Sequence, residues 1–132
     1  MAKAIEKRGK MYIKEIIKYN EDEPSAGAEV IVSDGKFDLL CYAYSSEHNV
    51  GDTNFTLSTF CDNDIMTSDE REYKIQQLED GYYKLQGKLI TIDKDNGTVQ
   101  IGSIIIHDLR CIPKDIKVGE FIEFTVRRLD IE

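Results

Sequence analysis

Residues 81–108 read GYYKLQGKLITIDKDNGTVQIGSIIIHD, and residues 117–131 read KVGEFIEFTVRRLDI. Val99 and Ile101 alternate with polar neighbours after Asn96-Gly97, a dipeptide that favours a two-residue hairpin turn. Upstream, residues 82–93 have strand composition, with Gly87 marking a bend. Ile104, Ile105 and Ile106 extend the apolar run past Gly102. Pro113 to Gly119 is a connection, and Ile122, Phe124 and Val126 share one face of a last strand. Beyond Arg127-Arg128 the apolar residues Leu129 and Ile131 have the other parity, which predicts a β-bulge at that point.

Working outward, the same period-two pattern recurs. Val30 and Val32 alternate before Asp34-Gly35, and Phe37, Leu39, Cys41 and Ala43 alternate after it, which predicts a second hairpin with a two-residue turn. Leu40, Tyr42 and Tyr44 make the second strand apolar on its other face too, as in a central or covered strand. Residues 55–61, FTLSTFC, alternate Phe55 and Leu57 against Thr56 and Ser58. Residues 12–19, YIKEIIKY, place Ile13, Ile17 and Tyr19 on one strand face. Residues 69–79 fit a short helix opened by a capping box, Thr67 to Glu70, and equally a strand. The expectation is one mostly-β domain over residues 11–132, a small barrel or sandwich of about seven strands with at most one or two short helices. Residues 1–10 are basic, lack a period and read as a flexible or extension segment.

The net charge of −8 is unevenly spread. Residues 1–19 hold six Lys/Arg against two Glu, residues 20–80 three Lys/Arg against fifteen Asp/Glu, and residues 81–132 eight of each; +4, −12 and 0 return −8. The acidic middle disfavours binding to phosphate backbones and suits a cationic partner. No apolar run spans a membrane and the N-terminus has no apolar signal region, so a cytoplasmic location is expected. Cys41, Cys61 and Cys111 are far apart and odd in number, which reads as reduced, buried thiols rather than a disulfide or zinc framework.

No catalytic constellation emerges, so the chain is expected not to be an enzyme and to need no cofactor. His107, Asp108 and Cys111 match no standard metal spacing, and the 62–72 run lacks the central glycine of a calcium loop. Glycine-rich phosphate loops are absent.

The segments GKLITID (87–93), DNG (95–97), TVQIG (98–102) and KVGEFIEFTV (117–126) resemble the strand-turn-strand plan of an OB-fold-like small barrel. The stretches DGKFDLLCY (34–42) and VGEFIEFTVRRLD (118–130) give the chain a resemblance to a small family of uncharacterised bacterial proteins, which implies no activity. The leading expectation is a non-enzymatic acidic protein that docks a cationic partner, for example an immunity-type protein neutralising a basic toxin. Asp52, Asp62, Asp64, Asp69, Glu70 and Glu72 are its candidate contacts. The OB-like resemblance implies an alternative, a single-stranded nucleic-acid binder using Tyr42, Tyr44, Arg127 and Arg128. A small-ligand or enzymatic domain is the third reading.

Overall fold

The computed structural model describes residues 10–44, 48–94 and 96–132. Residues 1–9, most of the expected extension segment, lie outside them. Among the described residues nine strands run in chain order: β1 (Tyr12–Lys18), β2 (Ala28–Ser33), β3 (Asp38–Ala43), β4 (Leu57–Thr67), β5 (Lys74–Gln77), β6 (Tyr83–Asp93), β7 (Asn96–Ile101), β8 (Ile104–Leu109) and β9 (Phe121–Ile131). A single 3-10 turn, Pro24–Ala26, is the only helical element among the described residues, and no helix there is long and apolar enough to cross a membrane. Mostly-β architecture is therefore the fold class.

Five strands close a ring. β6 pairs antiparallel with β7, β7 with β8, β4 with β9, and β9 with β6; β4 and β8 pair parallel. The result is a closed five-strand barrel, compatible with an OB-like barrel. β6 serves two neighbours on one edge, β5 along Tyr83–Gln86 and β7 from Lys88 onward. Gly87 lies between them. A Cβ there would stand 2.4 Å from the Gln100 carbonyl oxygen and 2.8 Å from the side chains of Val99 and Ile101, so only glycine lets β6 fold so closely over β7.

The parallel closure is short in backbone terms. Only Leu57↔Ile106 and Ser58↔His107 pair. Side chains then continue the seam. The Thr59 hydroxyl donates to the Asp108 carbonyl (2.8 Å), and Asp62 Oδ2 accepts the amides of Arg110 (3.0 Å) and Cys111 (3.2 Å).

The remaining strands build onto the barrel. β1, β2 and β3 form an antiparallel meander that joins β9 through the parallel pairs Tyr42↔Asp130 and Ala43↔Ile131. On its inner face Val30 opposes Cys41 and Val32 opposes Leu39; all four are buried, and they merge with Leu85, Val99, Ile106 and Phe124 in one apolar cluster. The tip of the β2–β3 hairpin is fastened to the β7–β8 turn, where Asp34 Oδ2 accepts the Ser103 amide at 2.7 Å.

Several expectations change in detail. Nine strands replace about seven. Residues 69–79 contain no helix: β4 runs on to Thr67 and β5 supplies the strand, while the Ser68 hydroxyl accepts the Glu70 amide instead of capping a helix. The β6–β7 hairpin exists, but Asp93 pairs with Asn96 and Lys94 has φ +58°, so the turn precedes Asn96-Gly97 instead of being formed by it. Gly97 sits in β7, paired with Ile92 and Leu109, and the closeness of the Ile112 side chain favours glycine there. In the β2–β3 hairpin the Asp34 amide donates to the Phe37 carbonyl (3.2 Å), so the turn centres on Gly35-Lys36, one residue late.

The bulge expected at Arg127-Arg128 is not there. Pairing of β9 with β4 holds one register from Thr125 to Ile131, and the bulge lies on β4, between Asn63 and Met66. The phase of β9 changes because its other edge passes from β6, as far as Val126, to β3, from Asp130. A second bulge, between Ile13 and Glu15, shifts the inner face of β1 from Ile17 to Ile16. Ile17 and Tyr19 are thereby exposed.

Candidate functional site

The outward turn of Tyr19 helps to assemble the most distinctive surface of the molecule. Tyr42 stands on the outer face of β3, opposite in parity to buried Leu39, Cys41 and Ala43, and Tyr44 follows directly after the strand's end. Arg128 pairs directly across from Phe60, which puts both on one face of the β4–β9 ladder. These five side chains meet. The rings of Tyr19 and Tyr42 lie 5.9 Å apart, and those of Tyr42 and Tyr44 lie 5.1 Å apart, edge to face. The Arg128 guanidinium lies 4.3 Å from the Phe60 ring centre and 4.9 Å from that of Tyr42, and donates to the Tyr44 hydroxyl at 3.2 Å.

Tyr44 is 61% exposed, Tyr19 52% and Phe60 37%, so three large rings face solvent around one cation. Exposed aromatics gathered in this way mark interaction surfaces more often than isolated ones do. Arg128 is held from beneath by Asp130, which is mostly buried, at 2.7 Å from Nε and 3.5 Å from Nη2. That hydrogen-bonded pairing raises the pKa of the guanidinium above its ordinary value. It also largely offsets the charge, so the patch is an aromatic surface with an internal ion pair rather than a bare cationic one.

Beside the patch lies a hollow of about 290 Å³, lined by Tyr19, Glu29, Leu40, Tyr42, Tyr83 and Arg128 among others. Tyr83 is buried and its hydroxyl accepts the Leu40 amide at 2.9 Å. Burial, above all, raises its pKa, as burial does for Tyr19, where the neighbouring Glu29 carboxylate adds to the effect. A larger groove of about 570 Å³ runs past Phe37, Tyr73 and Leu85. Its charges are matched within its own walls, Lys74 with Glu70 and Lys84 with Glu123 at 3.7 Å, which leaves it less distinctive.

The acidic candidates do not form one surface. Asp62 is buried and holds the barrel seam, so its carboxylate is not available for docking. Asp52 accepts the Asn49 amide at 2.9 Å and its carbonyl accepts the Ile13 amide at 3.0 Å, tying that loop to β1. Asp64 is exposed on the β4 bulge. Asp69, Glu70 and Glu72 are exposed on the way into β5, at the opposite end of the strand order from β1 and Asp52. Of the aromatic and basic candidates, Tyr42, Tyr44 and Arg128 converge. Arg127 does not; it lies over Tyr82, 6.0 Å from the ring centre.

Sequence reasoning missed Tyr19, Phe60 and Glu29. Phe60 left a usable signal, because it falls in phase with Thr56 and Ser58, the polar positions of its strand. Cys41 is buried, which pushes its thiol pKa far up, whereas Cys111 is exposed, contrary to the expectation of burial; it lies past the end of β8, outside the ladder. His107 meets the Thr98 hydroxyl at 3.3 Å, and no group of three or more His, Cys, Asp or Glu among the described residues is placed to hold a metal ion.

Compared with protein-family models, curated proteins and solved structures, the chain matches none, so the resemblance to a small bacterial family gains no support.

Proposed function

We propose that the chain is a non-enzymatic binding module that docks a cationic protein through the surface formed by Tyr19, Tyr42, Tyr44, Phe60 and Arg128. The observation that carries this reading is the gathering of three solvent-facing rings around one preorganised arginine. Tyrosine and arginine are enriched at the energetically important positions of protein interfaces, and here Asp130 already holds Arg128 in place. The preference for a cationic partner comes from the net charge of −8 and from the fifteen carboxylates of residues 20–80. Neutralisation of a basic toxin, immunity-fashion, is the concrete version this charge suits.

A single-stranded nucleic-acid binder is the second reading, favoured by the stacking surface of Tyr42 and Tyr44. It is weaker because Asp130 already pairs with Arg128 and Arg127 lies elsewhere.

The test is affinity capture from extract of the source organism, using the full chain and a Tyr44→Ser/Phe60→Ser variant whose fold is checked by circular dichroism. The expected result is a basic protein retained by the wild type, released by salt and lost with the variant. Capture that ignores both salt and the two substitutions would refute the proposal. Micromolar binding of oligo-dT at low salt, abolished by the same variant, would replace it with the second reading.

A further inference from the structure

The hollow beside the patch has a chemistry of its own. Glu29 sits in the middle of the meander, directly across from Ile17 on β1 and Tyr42 on β3. It is only half exposed, and no lysine or arginine among the described residues forms an ion pair with it. Tyr19 lines the same hollow, where burial first and then the Glu29 carboxylate raise the pKa of its hydroxyl. A half-buried carboxylate beside these rings, with no ion-pair partner among the described residues, is poised to receive one. Local charge agrees: Glu29 and Asp130 against Arg128 leave −1. The walls also suit a cation, since the Tyr42 ring already accepts the Arg128 guanidinium at 4.9 Å.

We infer that this hollow, walled by Tyr19, Tyr42 and Tyr83 with Glu29 as its anion, is a subsite for one protonated amine or guanidinium side chain. Its volume of about 290 Å³ leaves room for a single alkyl-ammonium or alkyl-guanidinium group, not for a folded element. On the reading proposed above, that group is a lysine or arginine of the docked protein. The Glu29 carboxylate takes the ion pair, and the tyrosine rings take the cation and its alkyl stem.

Amide-resolved NMR titration of the full chain with n-butylammonium and n-butylguanidinium tests this, with butan-1-ol as the neutral probe of the same length. Either cation should shift the amides of Ile17, Glu29 and Tyr42, with a Kd of roughly 1–10 mM, as expected for one ion pair and one cation–π contact. The stronger of the two tells whether the subsite prefers lysine-like or arginine-like groups. Glu29→Gln should weaken binding by about tenfold while leaving the rest of the spectrum in place, and butan-1-ol should shift nothing there. Equal shifts with butan-1-ol, or binding indifferent to Glu29→Gln, would overturn the inference. The two proposals fail separately. Probe binding without capture of a basic protein would leave the subsite standing alone. Capture that survives Glu29→Gln, with no probe binding, would leave the docking surface without its subsite.

Discussion

Asp62 distinguishes a carboxylate that builds the barrel from one that meets a partner. Replacing it with alanine removes an acceptor from two amides, Arg110 at 3.0 Å and Cys111 at 3.2 Å, in the short stretch where the barrel closes between β4 and β8. Hydrogen bonds to a charged group contribute about 1.5–3 kcal/mol each, but both amides belong to residues exposed enough for water to replace part of the loss. The expected cost is therefore about 2–4 kcal/mol for Asp62→Ala. Asp62→Asn keeps one carbonyl oxygen as acceptor and should cost about half as much. With a urea slope of about 2 kcal/mol/M, the midpoint should fall by about 1–2 M for alanine and by less for asparagine. Urea unfolding followed by far-UV circular dichroism measures both. A fall in midpoint equivalent to less than about 0.5 kcal/mol for alanine, within the range of an ordinary surface change, would refute the assignment of Asp62 to the seam.

Three further outcomes follow from the same geometry. Gly87→Ala should destabilise the fold by about 2–4 kcal/mol, because its Cβ would press on the backbone oxygen of Gln100; a thermal midpoint unchanged from wild type would show that β6 has room to move. In a Cys61→Ser background, a maleimide should label Cys111 in the native protein and Cys41 only on unfolding, since burial both hides that thiol and disfavours its thiolate; mass spectrometry of native and denatured samples reads this directly. Tyr83→Phe should cost about 1 kcal/mol at neutral pH through the lost bond to the Leu40 amide. The native pKa of Tyr83 is raised, so its contribution is complete below the unfolded value near 10 and declines as pH rises toward the native value; the variant's loss of stability above pH ~10 should accordingly be shallower than that of the wild type.

Period-two alternation made the strands readable because burial on one face imposes it locally. Ile122, Phe124 and Val126 are buried as their spacing says, as are Val30, Val32, Leu39 and Cys41. Turn chemistry was readable to within a residue or two. Asp34-Gly35 and Asn96-Gly97 mark hairpins, but Asp34 is taken up by its bond to Ser103 and Gly97 by its closeness to Ile112. The parallel pairing of β4 with β8 left no local trace, because nothing in FTLSTFC names a partner some fifty residues away. The site was hidden by smaller irregularities. One bulged residue near Lys14 reversed the face of Tyr19, and the change of partner along β9 brought Arg128 to Tyr42.

These irregularities also separate two kinds of charge that composition alone merges. Asp34, Asp62 and Asp130 are acceptors for backbone amides or for Arg128, and the local structure would suffer if a partner drew them away. Glu21, Asp64, Asp69 and Glu79 are exposed and contribute to a field that extends about one Debye length, roughly 8 Å at physiological salt. Such a field speeds encounter with a cationic molecule without fixing its pose. Pose needs directional contacts, and on the proposed reading the rings around Arg128 would supply them. Glu29 belongs to neither group: it is half-buried, lines the hollow with Tyr19 and Tyr42, and has no ion-pair partner among the described residues. The carboxylates discussed thus fall into three populations: one structural, one long-range, and Glu29, half-buried beside the aromatic surface, where we infer a subsite for a single cation.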